Sequence, residues 1–122
     1  MAKPILKGVP ILRIADVASA KAFYRDLLGF TVDWEHYYED GAPVYMQVSR
    51  AGLVLHLSEN ERFREATIIF VETVGIDELH ADWSSRSANW DPPPISLTPW
   101  HTRQMELEDP CGNLLRFNEN VG

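Results

Sequence analysis

The chain contains nearly the same strand twice, and this internal repeat restricts its fold more than any other feature. Residues 52–60 read GLVLHLSEN and residues 112–120 read GNLLRFNEN, which share a glycine, apolar positions and a final Glu-Asn. The copies differ where the first has His56 and the second has Arg116. A unit this short cannot bury both faces of its sheet by itself, so its open face must be buried against something else.

Each half of the chain predicts the same order of elements, namely a strand, a helix and three further strands. Predicted core positions recur three and four residues apart in both helices, at Ala20, Phe23, Tyr24 and Leu27 and again, 56 residues on, at Ile76, Leu79, His80 and Trp83. The first half predicts a strand at 9–15, a helix at 17–28 between Asp16 and Gly29, and strands at 30–38, 44–50 and 52–59. The second half predicts a strand at 66–72, a helix at 76–87, and strands at 95–97, 103–108 and 113–119.

We therefore expect an α+β fold in which two βαβββ modules, about 1–60 and 66–122, form a single domain. The length of 122 residues is sufficient for one hydrophobic core. Two such modules side by side predict a curved mixed sheet with a concave face. Equivalent positions of the modules, such as His56 and Arg116, then converge on a shared cleft.

The charge balance restricts the partners of the chain. Its net charge is −7 and it has only 11 Lys and Arg residues, which argues against nucleic acid and favours a cationic ligand. The apolar runs are too short to span a membrane. The amino terminus lacks the apolar core of a signal peptide, and the single Cys111 fits a reducing compartment, so we expect a cytoplasmic protein.

Several motifs resemble those of one known superfamily. Residues 9–30, VPILRIADVASAKAFYRDLLGF, are similar to the opening strand and helix of the vicinal oxygen chelate superfamily, which includes glyoxalase I, extradiol dioxygenases and bleomycin resistance proteins. Residues 75–83, GIDELHADW, resemble the second helix of the bleomycin resistance proteins. Pro99-Trp100 and residues 106–117, ELEDPCGNLLRF, resemble their last hairpin. The resemblance implies a glyoxalase-like homodimer in which the first strand, around Val9-Pro10, is exchanged between subunits.

The metal enzymes of this superfamily hold a divalent cation with four side chains on facing strands. Matching motif to motif, these positions fall near Val9, at His56, near Thr67 and at Arg116. Only His56 could bind a metal, and Arg116 is a permanent cation that would repel one. We therefore expect no metal, no other cofactor and no enzymatic activity, while His56 as a catalytic base remains open.

Aromatic residues outside the helical core pattern suggest what the cleft binds instead. Trp34, Tyr37 and Tyr38 end the second strand, and Trp100 lies in a loop before the final hairpin. Planar rings in such segments suit the stacking of a flat heteroaromatic ligand. The neighbouring carboxylates of Glu35, Glu39 and Asp40 would attract a cationic tail.

This combination matches bleomycin-type antibiotics, which carry a flat bithiazole and a positively charged terminal amine. The resemblance implies that Trp100 stacks on one side of the bithiazole and that an aromatic ring of residues 37–38 from the partner subunit stacks on the other. His56, His101 and Arg116 complete the predicted ligand-binding residues. However, His101 follows Pro-Trp where the family usually has glycine, and the segment 34–45 is longer than its counterpart.

Sequestration of a bleomycin-family antibiotic without chemical modification is thus the first hypothesis. Two alternatives remain open at this point. One is an enzyme of the glyoxalase or dioxygenase type that holds a metal in an altered site. The other is a binding protein for a different flat or cationic small molecule, which would need the same aromatic groove.

Overall fold

The computed structural model describes residues 3–38, 43–62 and 65–122. The elements of the first half are β1 (Ile11–Arg13), α1 (Val17–Ala20) with a π-helical continuation (Lys21–Leu27), β2 (Thr31–His36), β3 (Tyr45–Arg50) and β4 (Leu53–Ser58). Those of the second half are β5 (Ile68–Glu72), α2 (Ile76–Arg86), β6 (Ser96–Leu97), β7 (Thr102–Glu108) and β8 (Leu114–Asn120). The order βαβββ occurs twice and confirms the predicted modules.

The first helix lies where the sequence predicts it, but its second part is wider than an α-helix. Asp16 caps its start, since the Asp16 carboxylate accepts a hydrogen bond from the Ser19 amide at 2.7 Å. Further along, the Leu28 amide donates to the carbonyl of Phe23, five residues back, at 3.0 Å. The predicted strand 9–15 is shorter than expected, because β1 contains only Ile11–Arg13.

The strands form two separate four-stranded sheets, one in each module. The first sheet has the order β1-β4-β3-β2 and the second has the order β5-β8-β7-β6. In each sheet the first strand is parallel to the last one, and the remaining pairs are antiparallel. The predicted α+β fold is thus confirmed, and its mixed sheet consists of two hydrogen-bonded sheets, one in each module. β6 has only two residues, because prolines that cannot donate to a ladder precede and follow it, at 92–94 and 99.

The modules share a core rather than a sheet. One contiguous cluster of buried side chains contains residues from both sheets and both helices, including Leu12, Tyr24, Leu57, Trp83, Met105 and Leu115. Trp83 is 0% exposed, which confirms its predicted place in the core. The Trp83 indole N–H also donates to the Leu28 carbonyl at 3.0 Å, so this residue of the second module contacts the end of the first helix.

The opposite face of each sheet carries exposed apolar side chains. Ile11 of β1 alternates with the fully buried Leu12, and Ile68 and Phe70 of β5 alternate with residues that pack against the core. We call these two surfaces the first and the second open face. Each is available for a ligand or for another chain.

Helix α2 begins without a capping side chain of its own. Gly75 occupies the N-cap position with φ +86°, and the carboxylate of Glu119 on β8 accepts hydrogen bonds from the amides of Gly75 and Ile76. A carboxylate at this end also interacts favourably with the helix dipole. The start of α2 is thus held by a residue that is distant in the sequence.

Replacing Glu119 by alanine should lower the free energy of unfolding by about 1 kcal/mol, because two amides at the helix start lose their acceptor. Urea unfolding followed by circular dichroism measures the change. Glu108→Ala, which removes an exposed carboxylate from the neighbouring strand, is the matched control. Equal stability of the two variants would show that Glu119 does not cap the helix.

No helix in the described parts of the chain is both long and apolar enough to cross a membrane.

Candidate functional site

His56 lies at the centre of the first open face. On β4 it is opposite Ile11 of β1 on one side and Gln47 of β3 on the other, and Gln47 is in turn opposite Trp34 of β2. Side chains at such cross-strand positions lie on the same face of a sheet. The face therefore contains a row of four residues that crosses all four strands.

Three rings on this face contact one another and form what we call the aromatic wall, namely Trp34, Tyr45 and His56. The rings of Trp34 and Tyr45 are nearly parallel, with an interplanar angle of 17° and centroids 6.0 Å apart. His56 meets both edge-on, at 5.3 Å from Trp34 and 5.1 Å from Tyr45. Trp34 remains 41% exposed, so the wall presents a planar apolar surface to solvent.

A chain of hydrogen bonds holds the imidazole of His56 in place. The Tyr45 hydroxyl lies 2.7 Å from Nδ1, and Nε2 lies 3.0 Å from the Gln47 carbonyl oxygen Oε1. The Gln47 amide nitrogen donates to Asp33 at 3.1 Å, which leaves Oε1 as an acceptor for an Nε2–H donor. Asp33 is at an irregularity of β2, where the register shifts between Val32 and Trp34.

Both ring nitrogens of His56 therefore have protein partners. With Nε2 as the donor, Nδ1 accepts from Tyr45, whose pKa is raised mainly by burial, so that its hydroxyl stays protonated. A metal ion or a substrate proton would have to displace Tyr45 or Gln47 to reach the imidazole. Within the described ranges, no group of three His, Cys, Asp or Glu side chains could hold a metal ion.

Arg116 has the equivalent position on the second open face and different neighbours. On β8 it is opposite Phe70 of β5 and Glu106 of β7. Its guanidinium contacts the Glu106 carboxylate at 2.7 Å, which offsets part of its charge. Phe70 is exposed beside it. This face can therefore provide an aromatic ring, a cation and an anion to a ligand.

Trp100 lies in a hydrogen-bonded turn between β6 and β7. The hydroxyls of the buried Thr98 and Thr102 are 2.8 Å apart, and the Thr102 hydroxyl donates to the Asn118 side chain at 2.6 Å. His101 has a positive φ of 62° and is exposed, while its carbonyl accepts a hydrogen bond from the Val121 amide. The Trp100 side chain is 54% exposed at the tip of this turn.

The end of β2 carries the remaining predicted residues. The Tyr37 hydroxyl donates to Glu35 at 2.9 Å, and Lys21 forms an ion pair with the same carboxylate at 2.8 Å. These contacts, led by the one from Lys21, lower the pKa of Glu35. The negative charge of Glu35 is therefore already compensated by Lys21, which makes Glu35 a poorer partner for a cationic ligand than the sequence suggests. Tyr37 and Tyr38 are exposed, whereas Glu39 and Asp40 lie outside the described residues.

The structure thus groups the predicted residues by sheet. Trp34 and His56 share the aromatic wall, while Arg116 and Trp100 belong to the second sheet and have separate partners. Tyr45 and Gln47, which orient His56, were missed by the sequence analysis. The alternation of buried Val44, Met46 and Val48 with them was a usable signal, because it places residues 45 and 47 on the outer face of β3.

Comparison with known proteins places this chain in a protein family. A family model described as glyoxalase superfamily protein matches residues 4–122. The chain therefore belongs to the glyoxalase superfamily, as its motifs predict. No curated protein matches the sequence significantly.

Solved structures with the same fold include both enzyme-related and antibiotic-binding proteins. A glyoxalase-related enzyme from Clostridium phytofermentans has a TM-score of 0.73 at 19% identity, over 98% of each chain. The bleomycin-binding protein of the bleomycin producer Streptomyces verticillus, solved with copper(II)-bleomycin, has a TM-score of 0.66 at 27% identity, over 100% of this chain and 99% of that one.

A bleomycin resistance determinant encoded on the transposon Tn5 has a TM-score of 0.71 at 23% identity, over 97% of this chain and 100% of that one. Bleomycin-binding and bleomycin-resistance proteins are thus among the structures that this chain resembles along nearly its full length.

Proposed function

We propose that the protein binds and sequesters bleomycin-family glycopeptide antibiotics without modifying them. The observation that carries the proposal is the aromatic wall, whose exposed Trp34 is held by Tyr45 and His56. A preorganised planar surface of this kind suits a flat heteroaromatic group, because little conformational freedom is lost on stacking. The full-length similarity to a protein solved with copper(II)-bleomycin supports the choice of ligand.

The binding groove in this proposal forms between two copies of the chain. Both open faces expose apolar side chains, including Ile11, Ile68 and Phe70, and a monomer would leave them in water. In a homodimer, the first open face of one copy covers the second open face of the other. Trp100 then approaches the aromatic wall of the partner, although the two lie on separate sheets of one chain.

The amino-terminal arm, residues 3–8, supports the same assembly. Ile5 and Leu6 are 92% and 93% exposed, which is unfavourable for two adjacent apolar side chains unless another chain covers them. β1 itself pairs with β4 of its own chain. We therefore propose that the segment before Pro10, rather than β1, is exchanged between subunits.

Binding without chemistry fits the state of His56 and Arg116. Both nitrogens of His56 are hydrogen bonded within the protein, and Arg116 is a cation where a metal enzyme of the superfamily would have a ligand. The net charge of −7 favours the approach of a cationic drug.

The test is a titration of tryptophan fluorescence with metal-free and with Cu(II)-bound bleomycin. We expect saturable quenching with one drug molecule per groove, and recovery of the chemically unchanged drug by mass spectrometry. Light scattering during chromatography should give the mass of a dimer. Absence of quenching at tens of micromolar drug would refute the proposal.

An enzymatic function is the second candidate, because a glyoxalase-related enzyme has the same fold and His56 has the position of a metal ligand. Elemental analysis of the purified protein decides between the two. A stoichiometric divalent metal that is lost in His56→Ala would favour the enzyme, whereas the sequestering protein needs no metal.

A further inference from the structure

A cleft of about 810 Å³ lies at the seam between the two modules of one chain. Its inner surface includes the half-buried apolar side chains of Leu53, Val71 and Leu79, which pack against the shared core. The turn between β3 and β4, residues 50–53, forms one side, and the segment from β5 to the start of α2, residues 70–79, forms the other. The volume is within the range of small-molecule sites in proteins.

The floor of this cleft is separate from the proposed antibiotic groove. It consists of residues that face the shared core, such as Leu53 and Leu79, whereas the aromatic wall and Arg116 are on the open faces of the sheets. Phe70, at the rim of the cleft, also belongs to the second open face. Trp34, His56 and Trp100 are not among the residues that line it within the described parts of the chain. The two sites can therefore be tested independently.

The charges at the rim select the kind of ligand. Glu72 and Glu78 are exposed there, and neither forms a hydrogen bond or an ion pair with any residue that the structure describes. Arg50, the one cation among the described lining residues, is engaged by Asp82 at 2.9 Å and by the Leu28 carbonyl at 2.6 Å. Uncompensated negative charge at the mouth of an apolar cleft favours a cation.

The start of α2 does not reverse this preference. A helix N-terminus attracts anions because its first amides lack partners. Here the amides of Gly75 and Ile76 already donate to Glu119, and the first turn contains the acidic Asp77 and Glu78. The helix dipole at the cleft is therefore compensated by the protein itself.

We propose that this cleft is a second ligand site, which binds small apolar amines with the hydrocarbon body against the half-buried Leu53 and Leu79 and the ammonium group between Glu72 and Glu78. The apolar floor recognises the body by burial, and the two carboxylates recognise the charge. An anion of the same shape is repelled by the rim, and a neutral molecule lacks the ion pair.

The test uses three probes with one compact hydrocarbon body, namely 1-adamantylammonium, 1-adamantanol and 1-adamantanecarboxylate. This body is not planar and cannot stack in the antibiotic groove. Amide NMR spectra of the full-length protein are recorded during each titration. We expect saturable shifts at Gly52, Thr73 and Gly75 with the ammonium, binding of the alcohol that is weaker by about fivefold, and no binding of the carboxylate.

The double substitution Glu72→Gln and Glu78→Gln should reduce the difference between ammonium and alcohol to less than about twofold. Glu108→Gln, which removes an exposed carboxylate away from the cleft, is the control and should keep the full difference. The comparison of the three probes on the unaltered protein does not depend on how the variants fold. Equal binding of ammonium and alcohol, or shifts outside the cleft only, would overturn the proposal.

The outcome is distinguishable from that of the bleomycin titration. The double variant should bind the antibiotic as well as the unaltered protein does, because Glu72 and Glu78 are outside the aromatic wall. A loss of antibiotic binding in this variant would show that the two sites are one and would refute the second site.

Discussion

Replacing Asp109 by alanine is expected to lower the free energy of unfolding by about 3–5 kcal/mol, which is a large part of the stability of a small domain. Asp109 is only 4% exposed and its two carboxylate oxygens accept four hydrogen bonds. Oδ1 accepts from the amides of Cys111 and Asn113. Oδ2 accepts from the Tyr24 hydroxyl at 2.5 Å and from the Asn113 side chain at 2.8 Å.

The effect is large because these bonds join distant parts of the chain. Tyr24 belongs to the first helix, and Asn113 also donates to the Arg13 carbonyl and accepts from the Thr67 amide. Burial, and then the nearby Asp109 carboxylate, raises the pKa of Tyr24 far above its ordinary value, so this hydroxyl remains a donor. Without Asp109, the buried donors of Tyr24 and Asn113 lose an acceptor that water cannot easily replace.

Equilibrium unfolding in urea measures this prediction. Glu108→Ala changes the preceding, exposed residue and should alter the stability by less than about 0.5 kcal/mol. The free energy of unfolding of Asp109→Asn should lie between those of the two alanine variants, since the asparagine amide keeps an oxygen acceptor but places an N–H₂ group beside other donors. A loss of under 1 kcal/mol in the alanine variant would contradict the role of Asp109 as the link between the modules.

Replacing Trp100 by alanine should weaken bleomycin binding by about 10- to 100-fold while leaving the fold intact. The side chain is half-exposed, so it contributes little to the core of the chain. Its turn is held by Thr98, Thr102 and Asn118 rather than by the indole ring, and the backbone should therefore keep its shape. The loss would come from the stacking surface alone.

Calorimetric titration with bleomycin measures this change in affinity. Leu97→Ala is the control, because it removes an exposed apolar side chain from β6, the strand before the same turn, without removing a ring. Unfolding temperatures of both variants should stay close to that of the unaltered protein. Binding by Trp100→Ala within twofold of the unaltered protein would exclude Trp100 from the groove.

Much of the fold can be predicted from the sequence because its signals are local. The period of two in β3 and β4, the spacing of three and four in both helices, and Asp16 at a helix start each depend on neighbouring residues only. These signals, with the repeat around His56 and Arg116, were sufficient for the βαβββ order. The superfamily was indicated by the resemblance of the motifs at 9–30, 75–83 and 106–117.

The candidate site was predictable only in part. Its exposed aromatic residues, Trp34 and Trp100, could be identified because their positions do not fit the core pattern. The partners that give the site its chemistry could not, since Tyr45 and Gln47 meet His56 only through the register of β3 on β4. The sequence analysis assigned Glu35 to a cationic ligand. It could not foresee the ion pair of Glu35 with Lys21, because this contact depends on how the first helix packs against β2.

The sequence by itself therefore determined the two modules and the order of their elements. The tertiary structure decided that each module has its own sheet, that Glu119 caps α2, and that His56 has two protein partners. The reason is physical. Periodicity and capping depend on residues a few positions apart, whereas hydrogen bonds between strands and helices depend on how segments far apart in the chain pack together.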